Sequence, residues 1–123
     1  MLFICYPKCS TCAKARTWLT EQGCVFTERD IKTENPTAEE LRHWHAVSGL
    51  PLRRFFNTSG MLYREQGLSA KLPSMSEEDM LSLLATDGML VKRPLLIDGD
   101  AILVGFRQAE WEARLHTERN DHE

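Results

Sequence analysis

The chain of 123 residues reads as an α/β protein: a small mixed sheet with a helical insertion after a β-α-β unit. Three observations lead there. An apolar run at the start, Met1-Leu2-Phe3-Ile4-Cys5-Tyr6, is followed by a helical stretch and then a second β-prone run. From about residue 37 to 86 the signals are helical. Two short apolar runs then flank Asp98-Gly99-Asp100, a strong hairpin pattern, before a closing helix.

Taken in order, Leu2 to Tyr6 is the first strand, broken by Pro7 and Lys8. Ala13 to Gln22 is the first helix, with Ala15, Trp18, Leu19 and Gln22 along one side and Gly23 ending it. Cys24 to Ile31 is the second strand, with Val25-Phe26-Thr27 as its β-prone centre, and it should run parallel to the first. Thr37 and Glu40 have capping-box spacing and open a helix through Val47 that Gly49 closes. Leu50 to Phe56 is a further short helix, and Asn57-Thr58-Ser59-Gly60 a turn. Met61 to Lys71 is helical but interrupted at Gly67. Ser76 and Asp79 repeat the capping pattern and start a helix to about Ala85. After Arg93-Pro94 come the hairpin strands Leu95-Leu96-Ile97 and Ala101 to Val104. Gln108 to Leu115 closes a single domain over 1–115, leaving 116–123 as a polar, frayed tail.

Composition narrows the function. Charged residues make up 27% and the formal net charge is -3, which argues against direct binding to nucleic acid. No apolar run approaches the ~20 residues of a membrane span, and the first residues lack a basic leader. A cytoplasmic protein is expected, and its four cysteines then face a reducing environment.

The chemistry lies in Cys9-Ser10-Thr11-Cys12, placed where a strand gives way to a helix. A CxxC in that setting is a thioredoxin-like redox signature. The thiolate is the nucleophile, and a helix N-terminus offers unpaired N–H groups and the positive end of a dipole. Cys9 should be the reactive thiol, and Cys12, one turn on, the more buried one that attacks a mixed disulfide on Cys9. The bland alternative is half of a zinc site. Zinc usually takes four ligands, and no second pair at zinc spacing is present; His43 and His45, two apart on a helix, diverge. No metal is expected. Cys5, inside the apolar strand, suits a packing role, and Cys24 carries no motif.

Arg93-Pro94 precedes a strand, where proline is ordinarily just a strand opener. By analogy with thioredoxin-like folds, which set a cis-proline against the CxxC, the bond is expected to be cis with Pro94 beside Cys9. Lys8, Arg93 and Arg107 are candidates for a cationic pocket around Cys9, against the bland reading of solvated surface charge.

These segments carry a family resemblance. Tyr6-Pro7-Lys8-Cys9-Ser10-Thr11-Cys12, Phe55-Phe56-Asn57-Thr58-Ser59-Gly60, Asp87 through Pro94, and Val104-Gly105-Phe106 resemble the arsenate reductase (ArsC)/Spx family over roughly residues 2 to 115. The resemblance implies a thioredoxin-like fold with a helical insertion. It implies that Cys9 aligns with the cysteine that attacks arsenate, and Arg93 and Arg107 with two arginines of the oxyanion site. There are two departures. Glutaredoxin-coupled arsenate reductases of this family lack the second cysteine, here Cys12, and use a third arginine where this chain has Asn57, with Arg53 and Arg54 out of register. The CxxC form is similar to Spx-like and reductase-like branches. The expected activity is therefore thiol–disulfide exchange without organic cofactor, with glutathione a candidate co-substrate and thioredoxin, glutaredoxin or glutathione as reductant. The resemblance leaves two alternatives: arsenate reduction, and a redox-sensing regulator of the Spx type that binds RNA polymerase.

Overall fold

A computed structural model describes residues 1–120, with side chains described through Leu115. Four strands form one mixed sheet in the order β2-β1-β3-β4. β1 (Leu2–Cys5) is central and pairs parallel with β2 (Thr27–Asp30), Phe3 opposite Glu28. On its other side β1 runs antiparallel to β3 (Leu95–Asp98), Phe3 opposite Leu96. β3 turns back into β4 (Ala101–Val104). The pairing of Asp98 with Ala101 leaves a two-residue loop. Gly99 takes a positive φ of 58° there while Asp100 does not, the type II′ pattern that suits the strand twist.

Both faces of the sheet are covered, which is why its inner strands read as continuous apolar runs rather than alternating ones. Ile4, Leu95, Ile102 and Val104 point to one side, into a core shared with the helical insertion. Phe3, Cys5, Leu96 and Leu103 point to the other, against α1 (Ser10–Glu21) and α6 (Gln108–Asn120). The buried residues of α1 are Cys12, Ala15, Trp18 and Leu19, so the face expected from spacing is the one that packs. No helix among the described residues is long and apolar enough to cross a membrane.

The insertion comprises α2 (Ala38–Ser48), a 3-10 turn at Leu52–Phe55, α3 (Met61–Glu65), α4 (Leu68–Lys71) and α5 (Glu77–Leu84). Its caps match the sequence reading. Thr37 accepts from the Glu40 N–H at 3.1 Å, and the Glu40 carboxylate accepts from the Thr37 N–H at 3.0 Å. Ser76 caps α5 by accepting from the Asp79 N–H. Gly67, at φ 61°, separates α3 from α4.

Two expectations are corrected. The β-prone centre Val25-Phe26-Thr27 is not the middle of β2; the strand begins at Thr27, and Val25 is 89% exposed. As an edge strand, β2 is placed by its pairing with β1, and the charged Glu28 and Arg29 occupy positions that propensity disfavours. The closing helix also does not stop at Leu115. Its backbone continues as helix to Asn120, and 121–123 lie outside the described residues.

The insertion is stitched to the segment that leads into β3. Phe56 forms an antiparallel bridge with Val91. The Asn57 N–H donates to the Leu90 carbonyl at 2.7 Å, and the Lys92 N–H to the Phe55 carbonyl at 2.8 Å. That seam runs Phe55–Asn57 alongside Leu90–Lys92, with Arg53 and Arg54 just before it and Arg93 just after. On the far side of the same segment, Gly88 lies so close to β2's end that a Cβ there would come within 1.7 Å of the Ile31 carbonyl oxygen.

Candidate active site

Cys9 is the N-cap of α1, in extended conformation, with its N–H donating to the Tyr6 carbonyl at 3.0 Å. Pro7 and Lys8 make the turn that brings the chain out of β1 and round into the helix. Cys9 is partly exposed; Cys12, three residues on, is fully buried among Phe3, Ala15 and Trp111. The Tyr6 N–H donates to Cys12 Sγ at 3.4 Å.

The two thiols differ electrostatically. Burial alone pushes the Cys9 thiol up. The Cys12 N–H, the Cys12 thiol, the Thr11 N–H and the Arg93 guanidinium together outweigh burial and bring it below its ordinary value. No side-chain cap bond is formed by the neutral thiol; the same N–H groups favour the thiolate. Cys12 moves the other way, from an ordinary 9.0 to about 12, chiefly through burial and further through the negative charge on Cys9 and the hydrogen bond it gives that sulfur. Cys12 therefore keeps its proton and can donate to the Cys9 sulfur, whose thiolate is favoured relative to an ordinary cysteine.

The Arg93-Pro94 peptide bond is cis, as expected from the sequence. Arg93 lies over the Tyr6 ring, 5.4 Å from its centroid, and its Nη1 reaches the Met89 carbonyl at 3.5 Å. Pro94 is buried, and its carbonyl accepts from the Gly105 N–H at 2.8 Å, joining the β3 entrance to the β4 exit. That exit, Val104-Gly105-Phe106-Arg107, is anchored from below. Trp111 Nε1–H donates to the Gly105 carbonyl at 3.0 Å, and the Trp111 and Phe106 rings meet edge to face at 4.9 Å.

Cys9 opens into a cavity of about 770 Å³ between the sheet and the insertion. Arg93 and Arg107 both line it. Lys8 does not; it is exposed on the turn between β1 and α1. Pro94 is not part of the lining either. Sequence reasoning gave no role to Arg53, Arg54 and Lys92, yet all three line the cavity, as do Asn57 and Tyr63. The available signal was the β-prone pair Phe55-Phe56, of which Phe56 bridges Val91 next to Lys92 and Arg93. Among the described residues, no group of three or more His, Cys, Asp and Glu side chains is placed to hold a metal ion.

A four-stranded mixed sheet with a CxxC at the start of α1, a cis-proline before β3 and a helical insertion defines a thioredoxin-like protein of the arsenate reductase type. The ArsC family model matches residues 5–114, and the chain belongs to the ArsC family. It is 51% identical over 112 residues to the uncharacterized protein YusI of Bacillus subtilis (strain 168), covering 91% of this chain and 95% of that one. It is 28% identical to the global transcriptional regulator Spx of Staphylococcus aureus (strain Mu50 / ATCC 700699), covering 85% of this chain and 78% of that one. Among solved structures, an ArsC family related protein from Bacteroides fragilis superposes with a TM-score of 0.89 at 54% identity, covering 91% of this chain and 94% of that one.

Proposed function

We propose that the protein is a thiol–disulfide oxidoreductase in which Cys9 is the nucleophile and Cys12 the resolving thiol. The observation that carries this is the asymmetry of the pair: a lowered thiol at a helix N-cap facing a cavity, and a buried thiol raised to about 12 behind it. The Cys9 thiolate attacks one sulfur of a disulfide; that S–S bond breaks, and the leaving thiolate takes a proton from solvent. The adduct has no charge on Cys9, so the repulsion that opposed ionisation of Cys12 is gone. Cys12 then loses its proton and attacks Cys9 Sγ, releasing the second thiol and leaving a Cys9–Cys12 disulfide. A cellular thiol reductant (thioredoxin, glutaredoxin or glutathione) returns both cysteines to thiols, in a reaction suited to the cytoplasm. Arg93 and Arg107 hold negative charge on the substrate or leaving group.

Arsenate is a poorer substrate in this reading. Asn57 stands where the family resemblance implies a third arginine, and an amide lacks the permanent charge and the five-donor fork of a guanidinium. One charge-assisted pair fewer, at ~1.5–3 kcal/mol, lowers oxyanion affinity roughly ten- to hundredfold. The test is a turnover panel with arsenate and a model disulfide on wild type and Cys9→Ser. Disulfide reduction that disappears in Cys9→Ser, with weak arsenate turnover, is the expected result. Efficient arsenate reduction that is strongly reduced by Arg53→Ala or Arg54→Ala would replace this reading with arsenate reduction.

The likeness to Spx supports a second reading, in which the same disulfide serves as a switch in a regulator that binds RNA polymerase. Pull-down with polymerase under oxidising and reducing conditions separates the two.

A further inference from the structure

The cavity at Cys9 has an unusual charge. Five of its lining residues are cationic, namely Arg53, Arg54, Lys92, Arg93 and Arg107, and no aspartate or glutamate lines it. The chain as a whole is acidic, with 15 Lys and Arg against 18 Asp and Glu. Among the described residues, none of the five is in a salt bridge, whereas Arg16, Arg29 and Arg42 elsewhere are each paired with a glutamate. A third of the positive charge of an acidic protein thus lines the one cavity onto which the Cys9 thiol opens.

Size and texture narrow the ligand further. A volume of about 770 Å³ is that of a site for a drug-sized or larger molecule, far more than a tetrahedral oxyanion occupies. Part of the wall is apolar and adaptable: Phe56, Leu72, Met75, Met80 and Phe106. Arg53, Arg54 and Arg107 are solvent-exposed at the cavity, so a neutral disulfide would gain nothing from them, an anionic one would be attracted and a cationic one repelled. We propose that the substrate is a low-molecular-weight disulfide whose arms carry several anionic groups, three or more charges in all, joined to the sulfur by a stretch that packs on the apolar wall. This rests on the disulfide-exchange reading above and follows its steps. The substrate S–S bond is reduced to two thiols as Cys9 and Cys12 are oxidised to a disulfide, so a single turnover needs no other reductant. Arg53 and Arg54, carried by the insertion, select the anionic arms, while Arg93 sits at the thiol itself.

The experiment is single-turnover exchange with the pre-reduced full chain, reading the disulfide concentration at half-saturation. Four probes are compared: coenzyme A disulfide, a disulfide of an aspartate-rich cysteine peptide of equal charge, neutral hydroxyethyl disulfide, and cationic cystamine. Both polyanions should half-saturate at least tenfold below hydroxyethyl disulfide, with the advantage shrinking as salt is raised. The lower of the two polyanion values tells phosphate from carboxylate arms. The double variant Arg53→Gln/Arg54→Gln should bring the polyanion-to-neutral ratio to within about threefold of one. Arg42→Gln, which also removes positive charge but from the outer face, should leave the ratio unchanged. Equal half-saturation by all four probes, or preference for cystamine, overturns the charge selectivity and leaves disulfide exchange standing. Absence of exchange with every probe, in protein whose Cys9 still alkylates, overturns the oxidoreductase reading and this one with it.

Discussion

Substituting Gly88 by alanine should cost the protein about 3 kcal/mol. The added Cβ would stand 1.7 Å from the Ile31 carbonyl oxygen, 2.7 Å from its carbon and 3.2 Å from Asn35 Cβ. Contact normally begins beyond 3 Å, so two backbone segments must separate by more than an ångström. Neither is free to move. The Ile31 N–H donates to the Cys5 carbonyl at 2.8 Å, the Val91 N–H to the Gly88 carbonyl at 3.1 Å, and the Asn35 amide to the Ala85 carbonyl at 2.7 Å. Overpacking of this kind costs ~1–3 kcal/mol, and each hydrogen bond lost in relieving it adds about 1 kcal/mol. With an unfolding entropy of ~2.1 cal/mol/K per residue, 3 kcal/mol lowers Tm by about 12 °C in a chain of 123 residues. Thermal unfolding followed by circular dichroism on the reduced protein measures it. Gly23→Ala is the control: at φ 73° with nothing within 4 Å, it meets backbone strain and no clash. The reasoning fails if Gly88→Ala melts within 3 °C of wild type, or no lower than Gly23→Ala. The consequence reaches the site, because the turn that Gly88 starts presents the Met89 carbonyl to Arg93.

Other outcomes are expected from the same geometry. Cys12→Ala removes a thiol donor to the Cys9 thiolate and should slow Cys9 alkylation near neutral pH more than Arg93→Met does, with Cys12→Ser intermediate; pH-dependent iodoacetamide labelling mapped by mass spectrometry gives the order, and faster labelling of Cys5 or Cys24 than of Cys9 would contradict the assignment. Glu40 is held at about 2, chiefly by its hydrogen bonds from Arg29 and then by the Thr37 N–H. Its folded value lies below its ordinary 4.5, so the stabilisation is present above 4.5 and is lost as pH falls toward 2. After allowance for solvent screening of a side chain one-third exposed, Glu40→Gln should cost ~1–2 kcal/mol at pH 7, and denaturant curves of variant and wild type should converge near pH 2. Trp111→Phe leaves the Gly105 carbonyl without its buried donor and should cost ~1–3 kcal/mol by urea unfolding; an unchanged midpoint would mean that the bond adds nothing.

What the linear sequence determined is local. Caps, breakers and periods at Thr37, Gly49, Gly67, Ser76 and Asp98-Gly99 are decided within a few residues, and the structure places each as read. The strand-to-helix CxxC is local too, since the N–H groups that favour the Cys9 thiolate belong to the next turn of its own chain. Tertiary structure decided the rest. β2 lies where pairing with β1 puts it, against the propensity of Val25 and Phe26. The closing helix outruns its last apolar position, because a helix once nucleated adds one hydrogen bond for each residue fixed. The cationic cavity was the least legible. Arg53 and Arg54 are about forty residues from Arg93 and stand on a 3-10 turn without a motif. The seam of Phe55–Asn57 against Leu90–Lys92 carries them into the lining of the cavity that Cys9 shares. Spacing along a chain carries no information about a contact of that separation, which is made by burying Phe55 and Phe56 in a core assembled from the insertion and the sheet together.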